Sequence, residues 1–117
     1  MAPKPWDGGQ PVSARGRYWD VCFANLTTQL TQDVNGAAGD ELDWLYLYPT
    51  NTSPGALSLW DGLPGGGGVA VWVWPAGIVL TDLRPIFQPF NLRSRIGPWY
   101  VVCPATMSAT ASGAFSG

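Results

Sequence analysis

The stretch Val69-Ala70-Val71-Trp72-Val73-Trp74 carries bulky apolar groups on both parities of a β-strand, directly after the tetrad Gly65-Gly66-Gly67-Gly68. A strand patterned this way predicts cover on both faces. One small core rarely supplies that cover in 117 residues, so part of the surface is expected to meet another subunit or a ligand. The doubling recurs at Leu42 to Tyr48, where Leu42, Trp44, Tyr46 and Tyr48 form an aromatic stripe and Leu45 and Leu47 fall on the other parity with Asp43. From Arg17, Trp19, Val21 and Phe23 alternate with Tyr18, Asp20, Cys22 and Ala24, which predicts a strand with the Trp19 parity turned inward. The phase restarts after Asn25. Leu26, Thr28, Leu30, Gln32 and Val34 alternate with Thr27, Gln29, Thr31 and Asp33, a second strand with a polar outer face.

Turn chemistry separates the remaining runs. Asn35-Gly36 followed by Ala37-Ala38-Gly39-Asp40 marks one turn, and Pro49 through Gly55 another. A short strand over Ala56 to Trp60 leads to the glycine tetrad, which reads as a flexible hairpin connection. Pro75-Ala76-Gly77 turns the chain into Ile78-Val79-Leu80-Thr81. Pro85 and Pro89 cannot donate to a ladder, so Ile86 to Phe90 belongs at a sheet edge or in an extended loop. Trp99 to Cys103 follows, and Met107 to Phe115 alternates small apolar with Ser and Thr; the small side chains imply close approach of a facing element. No stretch holds a 3.6-residue apolar period. The expectation is an all-β chain: a single-domain β-sandwich or small barrel of about 7–9 short strands over residues 15–117, behind an extended N-terminal arm at residues 1–14 anchored by Trp6.

Composition sharpens this picture. Charged residues make up only 12% of the chain against 46% apolar, and there are seven tryptophans, a balance that opposes disorder and favours a β-rich protein hiding surface by association. A net charge of −2 without a run of Lys or Arg argues against nucleic-acid binding. Neither a secretion signal nor a membrane span is expected, since the N-terminus has no apolar h-region and no run approaches bilayer length.

The chemistry available is narrow. Without histidine the chain lacks the usual general base and any Ser-His or Cys-His pair. Asp40, Glu41 and Asp43 are clustered as a glycosidase pair would be, but at a turn where solvated acids are ordinary; the expectation is a protein that is not an enzyme. No calcium loop or phosphate-binding loop is present, so neither a cofactor nor a metal is expected. Cys22 and Cys103 are too few for a zinc site. As a disulfide they would close a loop of ~81 residues and contribute on the order of 4.5 kcal/mol; as buried thiols, the expected state for a cytosolically made protein, they would pack as small apolar groups. Trp19, Trp44 and Trp99 are expected in the core. Trp72 and Trp74 share a face that core, subunit contact and sugar platform all fit. Arg84, Arg93 and Arg95 sit near edge-like segments as solvated charges or intersubunit ion-pair partners.

The segment Leu83-Arg84-Pro85-Ile86-Phe87-Gln88-Pro89-Phe90 through Gly97-Pro98-Trp99-Tyr100-Val101-Val102, with the tail ending Gly113-Ala114-Phe115, resembles small accessory virion proteins of tailed bacteriophages. The likeness covers about the last 40 residues. It implies a β-domain that coats a capsid lattice or joins a tail, often as a trimer, with an arm reaching a neighbour. The expected role is therefore a capsid decoration or cement protein of the virion, assembled in the host cytoplasm. Its partners would be the major capsid protein and further copies of itself, through Trp6, Trp72, Trp74, Arg84 and Arg95. The alternative is a carbohydrate-binding module or receptor-binding tail component that uses exposed tryptophans.

Overall fold

The computed structural model describes residues 17–31 and 36–116. Eight strands occur among them: β1 (Arg17–Cys22), β2 (Thr27–Gln29), β3 (Glu41–Pro49), β4 (Leu57–Asp61), β5 (Val69–Trp74), β6 (Ile86–Arg93), β7 (Trp99–Val102) and β8 (Met107–Ala114). They form two four-stranded antiparallel sheets, ordered β1-β8-β3-β6 and β2-β7-β4-β5. Apart from the β4–β5 hairpin, successive strands alternate between the sheets. This order is the jelly roll, two interleaved Greek keys closed over one core. The expected all-β sandwich is the observed architecture.

The core between the sheets is aliphatic. Leu42, Leu45 and Leu47 of β3 face Leu57 and Leu59 of β4, with Val101, Met107 and Phe115 filling the layer, all fully buried. Trp99 is 2% exposed, as its parity predicts, and its indole N–H donates to the Asp40 carbonyl at 2.9 Å. The small residues of β8 do bring a neighbour close: a methyl group at Gly113 would overlap the Glu41 carbonyl and press on the Phe115 ring. Cys22 and Cys103 are buried free thiols.

Two elements depart from expectation. The second strand spans only Thr27–Gln29; residues 32–35 lie outside the described residues. Ile78 to Thr81 forms no strand, and its Leu80 N–H instead donates to the Thr52 carbonyl at 2.7 Å. β6 is the edge strand of its sheet, where Pro89 costs no ladder bond to a further strand.

Buried acids clip the loops at one end of the sandwich. The Asp61 carboxylate accepts the backbone N–H groups of Arg95, Ile96 and Gly97 at 2.9, 3.0 and 3.2 Å. Asp40, fully buried, accepts from Ala37 N–H, Ser116 N–H and the Ser116 hydroxyl at 2.9, 3.0 and 2.6 Å. Bonds of this charge-assisted kind hold irregular backbone in place where no ladder can.

Candidate functional site

The parity of β1 is opposite to the expected one. Tyr18, Asp20 and Cys22 turn inward, where the Asp20 carboxylate accepts the Thr31 N–H at 2.9 Å and Cys22 is fully buried. Trp19 therefore points to solvent and is 67% exposed, with Val21 beside it and Phe23 beyond the strand end also exposed. Trp44 is likewise outside the core, on the outer face of β3. A β-bulge between Leu42 and Trp44 explains this: the register slips there against both neighbours, so Leu42 and Leu45 both point in. The remaining outward positions of β3 are Tyr46 and Tyr48.

The pairing registers assemble these groups on one face. One row across the sheet reads Trp19, Ser112, Trp44, Pro89, and the next Val21, Thr110, Tyr46, Phe87. Tyr46 sits at the centre: its ring lies 5.1 Å from Trp44 edge-on, 5.0 Å from Phe87 and 6.4 Å from Tyr48 in a stacked arrangement. Phe87 is 49% exposed, and the Tyr48 hydroxyl shares a hydrogen bond of 3.1 Å with Thr110 Oγ1. Neither row contains a charged residue. Because β8 contributes only Ser108, Thr110 and Ser112 outward, it lies lower than the aromatic strand β3 and the Trp19 strand β1 on either side. The result is a hydroxyl floor flanked by two apolar strands whose backbones stand about 10 Å apart, at two interstrand spacings, with the Tyr48 side chain reaching over it to Thr110.

The opposite sheet presents a different surface. Its outward aromatics satisfy their polar atoms locally: Trp60 Nε1 donates to Ser58 Oγ at 2.8 Å, and the Tyr100 hydroxyl donates to Gln29 Oε1 at 2.7 Å. Val69, Val71 and Val73 of edge strand β5 are exposed, so the run Val69 to Trp74 does carry uncovered apolar surface. A bulge in the β4–β5 register at Val71 and Pro75 just beyond the strand interrupt that edge.

The residues expected at an interface are scattered by comparison. Trp72 and Trp74 face the core from β5 and are half-buried, Trp72 meeting Phe90 edge-on at 5.3 Å across the gap between the sheets. They form no solvent-facing platform, because the bulge returns them to the side of Leu57 and Leu59. Arg84 and Arg95 are exposed beyond opposite ends of β6 and so do not cluster; Arg84 pairs with Asp82 at 2.9 Å. Arg93 pairs with Glu41 at 2.6 Å. Trp6 lies outside the described residues.

Titratable groups offer little reactivity. Burial pushes the Cys103 thiol up to about 11 and Cys22 higher still, where the nearby Cys103 and Asp20 add to the effect. Asp40 and Asp61 are committed to backbone, and Glu41 to Arg93. A hollow of about 220 Å³ beside the β3 bulge is lined by Glu41, Leu42, Asp43, Asn91, Leu92 and Arg93. Among the described residues no group of three or more Cys, Asp or Glu gathers where it could hold a metal ion. No known protein family and no curated protein matches this chain.

Proposed function

We propose that this chain is a non-enzymatic structural protein of a phage virion, a decoration or cement protein that binds the capsid surface and its own neighbours. The observation carrying this reading is the outer face of the β1-β8-β3-β6 sheet, which is aromatic, free of charge across its two central rows and open to solvent. Scattered exposed hydrophobics are normal, but an aromatic cluster on the adjacent strands β3 and β6, with Trp19 across the hydroxyl row of β8, marks a surface meant to be covered. The sheet is about 19 Å across and up to about 27 Å long. A flat face of those dimensions is roughly 500 Å², over half of the ~800 Å² per partner that a stable interface buries. Jelly rolls serve in viral shells and in lectins alike, so the fold permits the role without assigning it.

The test is particle-based. Recombinant chain added to phage particles lacking it should sediment with them and raise the temperature at which they release DNA, and Tyr46→Ser should abolish both. Free chain that never sediments with particles contradicts the virion setting. A lectin reading is favoured by the hydroxyl floor beside exposed Trp19, since sugars offer ring faces for stacking and hydroxyls for bonding. It predicts glycan-array binding lost in Trp19→Ala, and no particle binding.

A further inference from the structure

The two ends of the sandwich differ in charge. Glu41, Arg93 and Arg95 gather where β3 begins and β6 ends, near the loops clipped by Asp40 and Asp61. The opposite end is built from four connections: residues 23–26 between β1 and β2, 50–56 between β3 and β4, 75–85 between β5 and β6, and 103–106 between β7 and β8. The only acidic and basic side chains in these connections are Asp82 and Arg84, which neutralise each other at 2.9 Å. Yet this end exposes Phe23 and Leu26 in the first connection and Val79 and Leu83 in the third, each more than half uncovered. Val79, at 74%, is the most exposed large hydrophobic among the described residues.

Hydrogen bonds zip the four connections side by side. Asn25 N–H donates to the Pro104 carbonyl at 2.9 Å, Thr50 N–H to the Thr106 carbonyl at 2.9 Å, Gly55 N–H to Thr106 Oγ1 at 2.8 Å and Leu80 N–H to the Thr52 carbonyl at 2.7 Å. The strand orders put residues 23–26 at one flank and 75–85 at the other, about 14 Å apart at three interstrand spacings. Between the flanks lie Thr50, Asn51, Thr52 and Ser53, all exposed. This tip is therefore apolar at its two sides, polar in its middle and without net charge. A protein interface has the reverse layout, an apolar centre inside a polar rim. A lipid surface makes no such demand: exposed apolar side chains insert separately at the boundary of headgroups and acyl chains, while hydroxyl and amide groups stay hydrated among the headgroups. We infer that this end of the sandwich docks on a zwitterionic lipid bilayer, inserting Phe23 and Leu26 from one flank and Val79 and Leu83 from the other. With Asp82 and Arg84 cancelling, the tip gains nothing from anionic headgroups, and its binding does not depend on salt.

This inference rests neither on the aromatic sheet nor on the virion setting, and it is tested on the purified full chain with phosphatidylcholine vesicles. Wild type should float with the vesicles equally at low and high salt, and no better when phosphatidylglycerol is added. Val79→Asp with Leu83→Asp, and separately Phe23→Ser with Leu26→Ser, should each weaken partitioning by about ten-fold or more, because each pair removes apolar groups from burial. Where either pair lowers the folded fraction by circular dichroism, the single change Val79→Ser at the most exposed position takes its place. Tyr46→Ser should bind vesicles as wild type does, so loss of particle binding in that variant leaves the tip standing. Wild type that stays with the unbound protein, or binding that needs phosphatidylglycerol and vanishes at high salt, would overturn the inference. So would vesicle binding lost in Tyr46→Ser but kept in the tip variants, or tip variants that lose self-association and keep vesicle binding.

Discussion

Replacing Trp19 with alanine separates a surface tryptophan from a core one by where the energy is lost. A tryptophan side chain presents about 250 Å², of which 67% is uncovered at Trp19, leaving about 170 Å² for a partner and about 80 Å² already covered by the fold. At about 25 cal/mol per Å², Trp19→Ala removes at most about 2 kcal/mol from folding and up to about 4 kcal/mol from association, three powers of ten in Kd. Trp99→Ala inverts the balance: that ring is 2% exposed and anchors the Asp40 carbonyl, so its loss costs folding about 3–5 kcal/mol. Urea unfolding at low protein concentration reads the folding terms, and sedimentation across a dilution series reads the association term. A Trp19→Ala chain destabilised as severely as Trp99→Ala, or one whose association is unchanged, would refute the reasoning.

Other residues carry narrower expectations. Asp61→Ala strands three backbone N–H groups of the β6–β7 loop and should lower unfolding free energy by about 3 kcal/mol, read by urea titration; a loss under about 1 kcal/mol would show that the carboxylate does not hold the loop. Native chain at pH 8 should resist iodoacetamide at Cys22 and Cys103 and react fully in denaturant, followed by mass spectrometry, because both thiols stay protonated and covered; rapid native labelling contradicts this. Burial raises the Asp20 carboxyl above its ordinary 3.8, partly offset by the Thr31 N–H, so the folded state holds this proton more tightly than the unfolded one. Stability from this group is therefore lost as pH rises from 3.8 through the raised value. The stability of Asp20→Asn minus that of wild type should climb across that window, and a flat or falling difference is the contrary result.

The fold was legible because turns and strand periods announce themselves locally. Asp61-Gly62, Pro75 and Gly97-Pro98 bracket strands where they are observed, β6 takes the edge position that was one of the two places Pro89 allowed, and the run Val69 to Trp74 is β5 residue for residue. The site was less legible. With apolar groups on both parities of β1, the bulkier set looked like the core, yet Asp20 and Cys22 go inside because one finds a backbone donor at Thr31 and the other a packing slot beside Cys103. Both partners are distant in sequence. On β3, the bulge at Leu42 to Trp44 resets the phase, and a strict period-2 reading cannot see it. One usable signal was present: β8 alternates Ala109 and Ala111 with Ser108, Thr110 and Ser112, so any strand pairing with it must put half its side chains on the hydroxyl side. Trp19, Trp44 and Tyr46 are on that side. Trp72 and Trp74 are a dense apolar pair in the sequence, but they close the flank of the sandwich between β5 and β6.

The central claim is that the aromatic sheet is covered by protein when the chain is at work. Sedimentation equilibrium of the purified full chain over a hundred-fold concentration range tests it most directly. The expected result is a mass that is a multiple of 12.5 kDa, falling to 12.5 kDa in Tyr46→Ser with the fold intact. A single species of 12.5 kDa for the wild type, up to the highest concentration, would contradict it.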